Sequence, residues 1–245
     1  MGRPDRLELY RRRYAALKPG WEPATARYQQ RVATHLAEGH RVLDLGCGRG
    51  GIVERLSYKG RWAGIDPDLV SLQEHRQASL DRCCGVSERL PFADESFDVV
   101  VASWLLEHLA TPLATFEEIA RVLKEGGSFF FLTPNLKHPL LQFNSALARM
   151  QGLQRKCIQG LYGRSVKDTF PVHYRANVVH DIEQLAVRSG LRLREVICVG
   201  DPTYLAFDSV TFVVAVGIEA LLPASWKVHL IGHFVRPISG RYCDG

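Results

Sequence analysis

The stretch Arg41–Gly51, RVLDLGCGRGG, constrains this chain more than any other. Val42, Leu43 and Leu45 form a short apolar run of the kind expected of a buried parallel strand, and glycines at 46, 48, 50 and 51 follow at once. A strand that runs into clustered glycines and then a helix brings backbone amides close to a ligand, because no Cβ stands between them. Asp44 lies inside the run, where a carboxylate is costly to bury unless it meets a cation, a helix N-terminus or several donors. The stretch therefore predicts a polar small-molecule site at a strand end. A glycine turn that serves only close helix–strand packing is the alternative it leaves open.

From residue 41 the pattern alternates strand and helix. Strands are expected at 41–46, 61–66, 82–86, 97–103, 128–133, 191–199 and 227–235, with helices at about 50–58, 68–80 and 112–124. That order predicts an α/β, doubly wound sheet covered on both faces, with its ligand beyond the carboxyl ends of the parallel strands. Asp44, Asp66, the Val86-Ser87-Glu88 run and Ser103 all occupy such ends. Asp66 follows Gly46 at the spacing that lets an acidic side chain reach the hydroxyls of a ribose, while Asp68 is available to cap the next helix. Gly46, Gly48 and Gly51 also satisfy the glycine pattern of NAD enzymes, so an oxidoreductase is a competing reading. A helical leader, residues 1–40, precedes the alternation, with helices expected at 5–17 and 24–38. Its Tyr10, Tyr14, Trp21 and Tyr28 either close over a ligand or pack the leader on the core.

Composition narrows the setting. With 46% apolar and 23% charged residues the chain is an ordinary globular one, and a net charge of +5 is too slight to call for nucleic acid. The six cysteines form no C-x-x-C pair, so neither a zinc site nor a disulfide framework is indicated and a reducing, cytoplasmic setting is expected. There is no apolar signal segment at the start and no uncharged run long enough to span a bilayer.

Residues 85–101, GVSERLPFADESFDVVV, decide between the cofactors. Together with VLDLGCGRGG, GID, SWLLEHL and LKEGGSFFFLTPN, this sequence resembles the class I S-adenosylmethionine-dependent methyltransferases, most of all the broad bacterial small-molecule group with an L-P-F-x-D-x-S-F-D signature. The resemblance is dense over 41–135 and loose over about 170–240. It implies a Rossmann-like seven-stranded sheet, mostly parallel with an antiparallel last strand, and S-adenosyl-L-methionine as cofactor. By the same resemblance Asp44 holds the methionyl ammonium and the loop at Gly46, Gly48 and Gly50 passes under the methionyl and ribose parts. Asp66 takes the ribose hydroxyls, Ser87 and Glu88 line the adenine, and the Ser103 backbone faces the methionyl end. Two positions depart from the pattern. Val86 stands where relatives often carry an Asp for the adenine amino group, and Trp104 replaces the first carboxylate of an E-x-x-E-H metal cluster. Glu107 and His108 alone are a poor site for a hard cation, so no metal is expected.

Two segments bear on the acceptor. Residues 136–176 set Lys137, Arg149, Arg155, Lys156, Arg164, Lys167 and Arg175 against the single acid Asp168, and read as a basic cap inserted over the active edge. His138 and His173 in this segment, and His108, are the candidate general bases, with His173 favoured for its place beside Tyr174. Residues 204–222 are nearly all apolar; as a helix they place Asp208, Thr211, Ala215 and Glu219 on one stripe, a pattern that fits burial, a homodimer interface or a membrane surface. The expected function is methyl transfer to a small acceptor, lipophilic or anionic, most simply at oxygen. The alternative is a non-catalytic, S-adenosylmethionine-binding, membrane-associated assembly or interaction protein.

Overall fold

The computed structural model of the chain describes residues 3–56, 58, 60–149 and 171–239. Seven strands, β1 (Arg41–Leu45), β2 (Arg61–Asp66), β3 (Asp81–Cys84), β4 (Phe97–Ser103), β5 (Leu123–Pro134), β6 (Arg192–Val199) and β7 (His229–Val235), form one sheet in the order 3-2-1-4-5-7-6. The pairs among β1 to β5 are parallel, and β7 lies antiparallel between β5 and β6. The chain winds outward from β1 to β3 and then returns to β4 on the other side of β1. That reversal opens a crevice beyond the carboxyl ends of β1 and β4.

Helices cover both faces. On one, α5 (Pro112–Val122) and α7 (Val179–Arg188) bring Phe116, Ile119 and Ile182 against Phe129, Phe131 and Phe234. On the other, α2 (Ala24–Ala33), α3 (Ile52–Arg55) and α4 (Leu69–Gln73) pack Tyr28, Val32, Ile52 and Leu72 against Val99, Phe130 and Leu132. The FFFL run of β5 thus divides between the faces because successive strand side chains alternate.

The leader opens with α1 (Arg3–Leu17), whose Tyr10 and Tyr14 join Trp21 and Phe212 in a separate cluster under α8 (Ser209–Leu221). Arg11 pairs with the buried Asp201 at 3.0 Å, and Trp21 Nε1 donates to Gly200 O at 2.7 Å, so the leader is tied to the end of β6. After β5 comes α6 (Pro139–Arg149), and most of the basic cap segment lies outside the described residues.

Several elements are shorter than their apolar pattern suggests. The helix expected over 68–80 stops at Gln73, where His75 Nδ1 accepts from Gln77 N and Arg82 reaches back to Leu72 O, so side chains replace the helical ladder. Conversely β5 begins at Leu123 rather than 128, because Gly126 at φ 77° carries the chain through an irregularity in its pairing with β4.

Candidate cofactor and acceptor site

The carboxyl end of β1 is where the sequence places its most expensive group. Asp44 is buried and its Oδ2 has no hydrogen-bond partner among the described residues. Burial, and behind it the charge of Asp66, push its carboxyl up to about 7. The following loop explains why an unpaired carboxylate is kept there. Gly46 at φ 76° and Gly48 at φ 51° hold left-handed backbone that an L side chain rarely adopts, and a Cβ on Gly46 would stand 3.1 Å from Leu105 Cδ1. Gly46 N and Cys47 N both donate to Ile65 O, which seats the loop on the end of β2. The result is a cradle of bare backbone beside a buried acid, suited to a ligand carrying a cation.

Asp66 completes the first half of the site. Its Oδ2 accepts from Gly48 N at 2.9 Å and its Oδ1 from Asp68 N at 2.9 Å, so the carboxylate braces the glycine loop. Two contacts occupy only half of its accepting capacity, which leaves room for a vicinal diol. Asp68 is the cap of α4, accepting from Val70 N and Ser71 Oγ. Gly50, at φ 136°, sits beside Glu54 and Arg76, which pair with each other.

The second half lies at β3 and β4. Ser87 Oγ bonds Thr115 Oγ1 at 2.9 Å and Glu88 Oε2 at 3.2 Å, while Thr111 Oγ1 donates to Glu88 Oε1. Both side chains are thus turned toward the start of α5, and the exposed Val86 beside them offers an apolar surface. Ser103 closes β4 next to the Tyr28 hydroxyl, which also lies near Asp44 and donates to Phe130 O at 3.4 Å. Burial raises the Tyr28 phenol far above its ordinary value, so it stays neutral. Trp104 follows in left-handed backbone, φ 58°, with its backbone N–H donating a hydrogen bond to Leu132 O at 2.8 Å.

A family model described as a methyltransferase domain matches residues 43–131, from within β1 to within β5. This is a class I S-adenosylmethionine-dependent methyltransferase domain. Among relatives, the chain is 38% identical over 97 residues to a demethylmenaquinone methyltransferase of Mycobacterium sp. (strain KMS), covering 39% of this chain and 42% of that protein. It is 34% identical over 105 residues to a ubiquinone biosynthesis O-methyltransferase of Idiomarina loihiensis, covering 40% and 43%. The chain therefore spans less than half the length of either curated relative in these matches. The fold extends further than the sequence likeness. A geranyl diphosphate C-methyltransferase from Streptomyces coelicolor superposes with a TM-score of 0.57 over 86% of this chain and 80% of that one, at 12% identity.

Polar groups from within the matched region and from beyond it gather along the same edge. Glu107 is buried in a single 3-10 turn, Leu106–His108, where its Oε2 accepts from Thr133 Oγ1 at 3.0 Å. Asn177 Nδ2 in turn donates to Thr133 Oγ1 at 2.7 Å and to Pro134 O at 3.0 Å. Glu107 O accepts from both His173 N and Tyr174 N, and His108 Nδ1 lies 2.8 Å from Pro171 O. His108 and His173 are thereby brought to one place. A carbonyl only accepts, so His108 carries its proton on Nδ1 when neutral and keeps its basic lone pair on Nε2. Among the described residues no group of three or more His, Cys, Asp or Glu is placed to hold a metal ion.

Sequence reasoning passed over a further pair. His229 opens β7 and is buried; its Nε2 lies 3.1 Å from Tyr204 Oη, and its ring stands edge-on to Trp104 at 5.2 Å. Burial lowers its pKa to about 4. The rule that ligands gather at carboxyl ends hides such a residue, because β7 runs the other way and offers its first residue to that edge. The antiparallel last strand implied by the resemblance was the signal that locates it.

Proposed function

We propose that the protein transfers the methyl group of S-adenosylmethionine to a small acceptor that is lipophilic or anionic, most simply at an oxygen. The observation that carries this reading is the buried, unpartnered Asp44 Oδ2 beside the glycine cradle, a position an ammonium group would satisfy. Asp44 would hold the methionyl ammonium, Gly46, Gly48 and Gly50 would let the backbone approach, and Asp66 would take the ribose hydroxyls while bracing Gly48. Ser87 and Glu88 are fixed by Thr111 and Thr115, so the adenine would meet their backbone and the Val86 side chain. The Ser103 backbone, with Tyr28 and Trp104, would close the methionyl end against water.

The sulfonium cofactor supplies a methyl group that is already electrophilic. What remains for this chain is alignment of the incoming nucleophile, which can lower a barrier by roughly 7–11 kcal/mol, and removal of its proton. His108 and His173 are the proposed proton acceptors, joined through Glu107 at the mouth of the site. The names of the relatives support a lipophilic acceptor: one is a demethylmenaquinone methyltransferase and the other a ubiquinone biosynthesis O-methyltransferase. Incubating the protein with methyl-labelled cofactor and separate lipid, quinone and sugar extracts tests the reading. Label should enter an apolar product, and His108→Ala or His173→Ala should slow transfer about 10²–10⁴-fold for a base-assisted hydroxyl acceptor. Tight cofactor binding with no labelled product from any extract would favour the non-catalytic alternative.

A further inference from the structure

The helix α8 shows two opposite faces. Phe212, Ala215 and Glu219 are buried against the domain, with Glu219 paired to Lys227 at 2.9 Å. The outer face carries Val210, Val213, Val214, Ile218 and Leu221, exposed by 47–87%, and no charged side chain interrupts them. A contiguous apolar stripe of that kind is costly to leave in water and marks an interaction surface.

Its border is basic. Arg6 lies over the Phe207 ring at 5.7 Å, and Arg13 lies over Phe212 at 5.9 Å while donating to Ser209 Oγ at 3.3 Å. Lys18 lies over Tyr14 at 6.0 Å. These three cations take part in no ion pair among the described residues, whereas their neighbours Arg11 and Arg12 are paired with Asp201 and Glu8. Of the nearby acids, Asp208 caps the helix by accepting from Val210 N and Thr211 N, Glu219 faces inward and Glu8 pairs with Arg12, which leaves the exposed Asp5 as the acid in no ion pair among the described residues. Leu17, at the end of α1, is also 64% exposed.

From this arrangement we infer that α8 and the adjoining edge of α1 dock in plane on an anionic membrane surface, with the valine–isoleucine–leucine face among the acyl chains and Arg6, Arg13 and Lys18 at the headgroups. A bilayer of anionic lipid offers both an apolar phase and the opposite charge. A second copy of the chain would bring the same three cations with only Asp5 to meet them. The helix lies in the plane rather than across it, since no described helix is long and apolar enough to cross a membrane.

The position of α8 gives the docking a purpose. The helix connects the end of β6 to the start of β7, and both of those strand ends lie level with Pro134 at the carboxyl end of β5. Ile218 of α8 borders a cavity of about 20 Å³ whose other walls include His138, Asp201 and Tyr204. α8 is therefore attached at the same end of the sheet as the carboxyl end of β5. This deepens the proposed function, because a lipophilic acceptor dissolved in the bilayer would arrive on the side where the cofactor site opens.

Flotation of the full chain on a density gradient tests the docking without any methyl transfer, so its failure is distinguishable from failure of the catalytic reading. The chain should rise with vesicles of mixed phosphatidylcholine and phosphatidylglycerol and stay below with phosphatidylcholine alone. Val213→Asp with Val214→Asp, and separately Arg6→Glu with Lys18→Glu, should each lower the floated fraction roughly tenfold. Unchanged circular dichroism and S-adenosylhomocysteine binding establish that the variants are folded; if either double variant fails that check, Leu221→Asp at the most exposed position replaces it. Wild-type chain that stays below with both vesicle types overturns the inference. So does undiminished flotation of the aspartate variant, which would place the contact elsewhere on the chain. A dimer in sedimentation velocity that the same aspartates convert to monomer would assign the face to a second copy instead.

Discussion

Asp44→Asn should make the protein more stable and unable to hold its cofactor. In the fold the carboxyl is driven from its ordinary 3.8 to about 7, chiefly by burial. A group whose folded pKa is raised binds its proton more tightly in the folded state. Its favourable protonated form is fully present below about pH 4 and is lost as pH climbs to about 7. Moving a carboxyl over that interval costs the folded state about 4 kcal/mol at pH 7 and above. Asparagine keeps the shape without the charge but strands amide N–H groups in a buried place, which takes back about 1 kcal/mol. The variant should therefore gain about 3 kcal/mol over wild type at about pH 8, an advantage that shrinks steadily toward about pH 4. Urea denaturation of both proteins across that range reads the difference, and titration calorimetry with S-adenosylhomocysteine reads the loss of binding. Wild-type affinity should rise about tenfold per pH unit up to about pH 7 and then level, since only the ionised carboxylate pairs with an ammonium. A stability difference that is the same at about pH 5 and about pH 8, or an Asp44→Asn variant that binds like wild type, would refute the assignment.

Two other residues offer independent tests. Asp66→Ala removes the acceptor for Gly48 N and Asp68 N along with the proposed ribose contact, and should weaken S-adenosylhomocysteine binding by about 2–3 kcal/mol in calorimetry; an unchanged affinity would exclude the ribose role. His229 has its pKa lowered from 6.5 to about 4, so the folded state gives up stability as pH falls through that window, about 3 kcal/mol in all. His229→Phe should flatten that part of the acid limb by about one proton, and parallel acid limbs for variant and wild type would count against it.

The parallel half of the sheet was legible because its information is local. An apolar run, a glycine cluster and an acid at fixed spacing announce β1, its loop and Asp66 without reference to the rest of the chain. Ser87 and Glu88 were legible by position but not by direction, since their hydroxyl and carboxylate partners, Thr111 and Thr115, lie on a different element. Trp104 read as a missing metal ligand, yet its left-handed backbone and its contact with His229 depend on β5 and β7, far away in sequence. The leader aromatics split for a similar reason. Tyr28 reaches the site beside Ser103, whereas Tyr10, Tyr14 and Trp21 are claimed by α8, whose outward valines gave no hint of what lies beneath them.

The small network around Glu107 has a mechanical meaning. One buried carboxylate grips Thr133 at the tip of β5, its own carbonyl grips the backbone of 173 and 174, and Asn177 clamps Thr133 from the other side. The chain from Pro171 to Asn177 is thus moored at both ends before α7 begins. If that segment meets the acceptor, as proposed, it can change by mutation without loosening the glycine loop and Asp66 on the far side of the site.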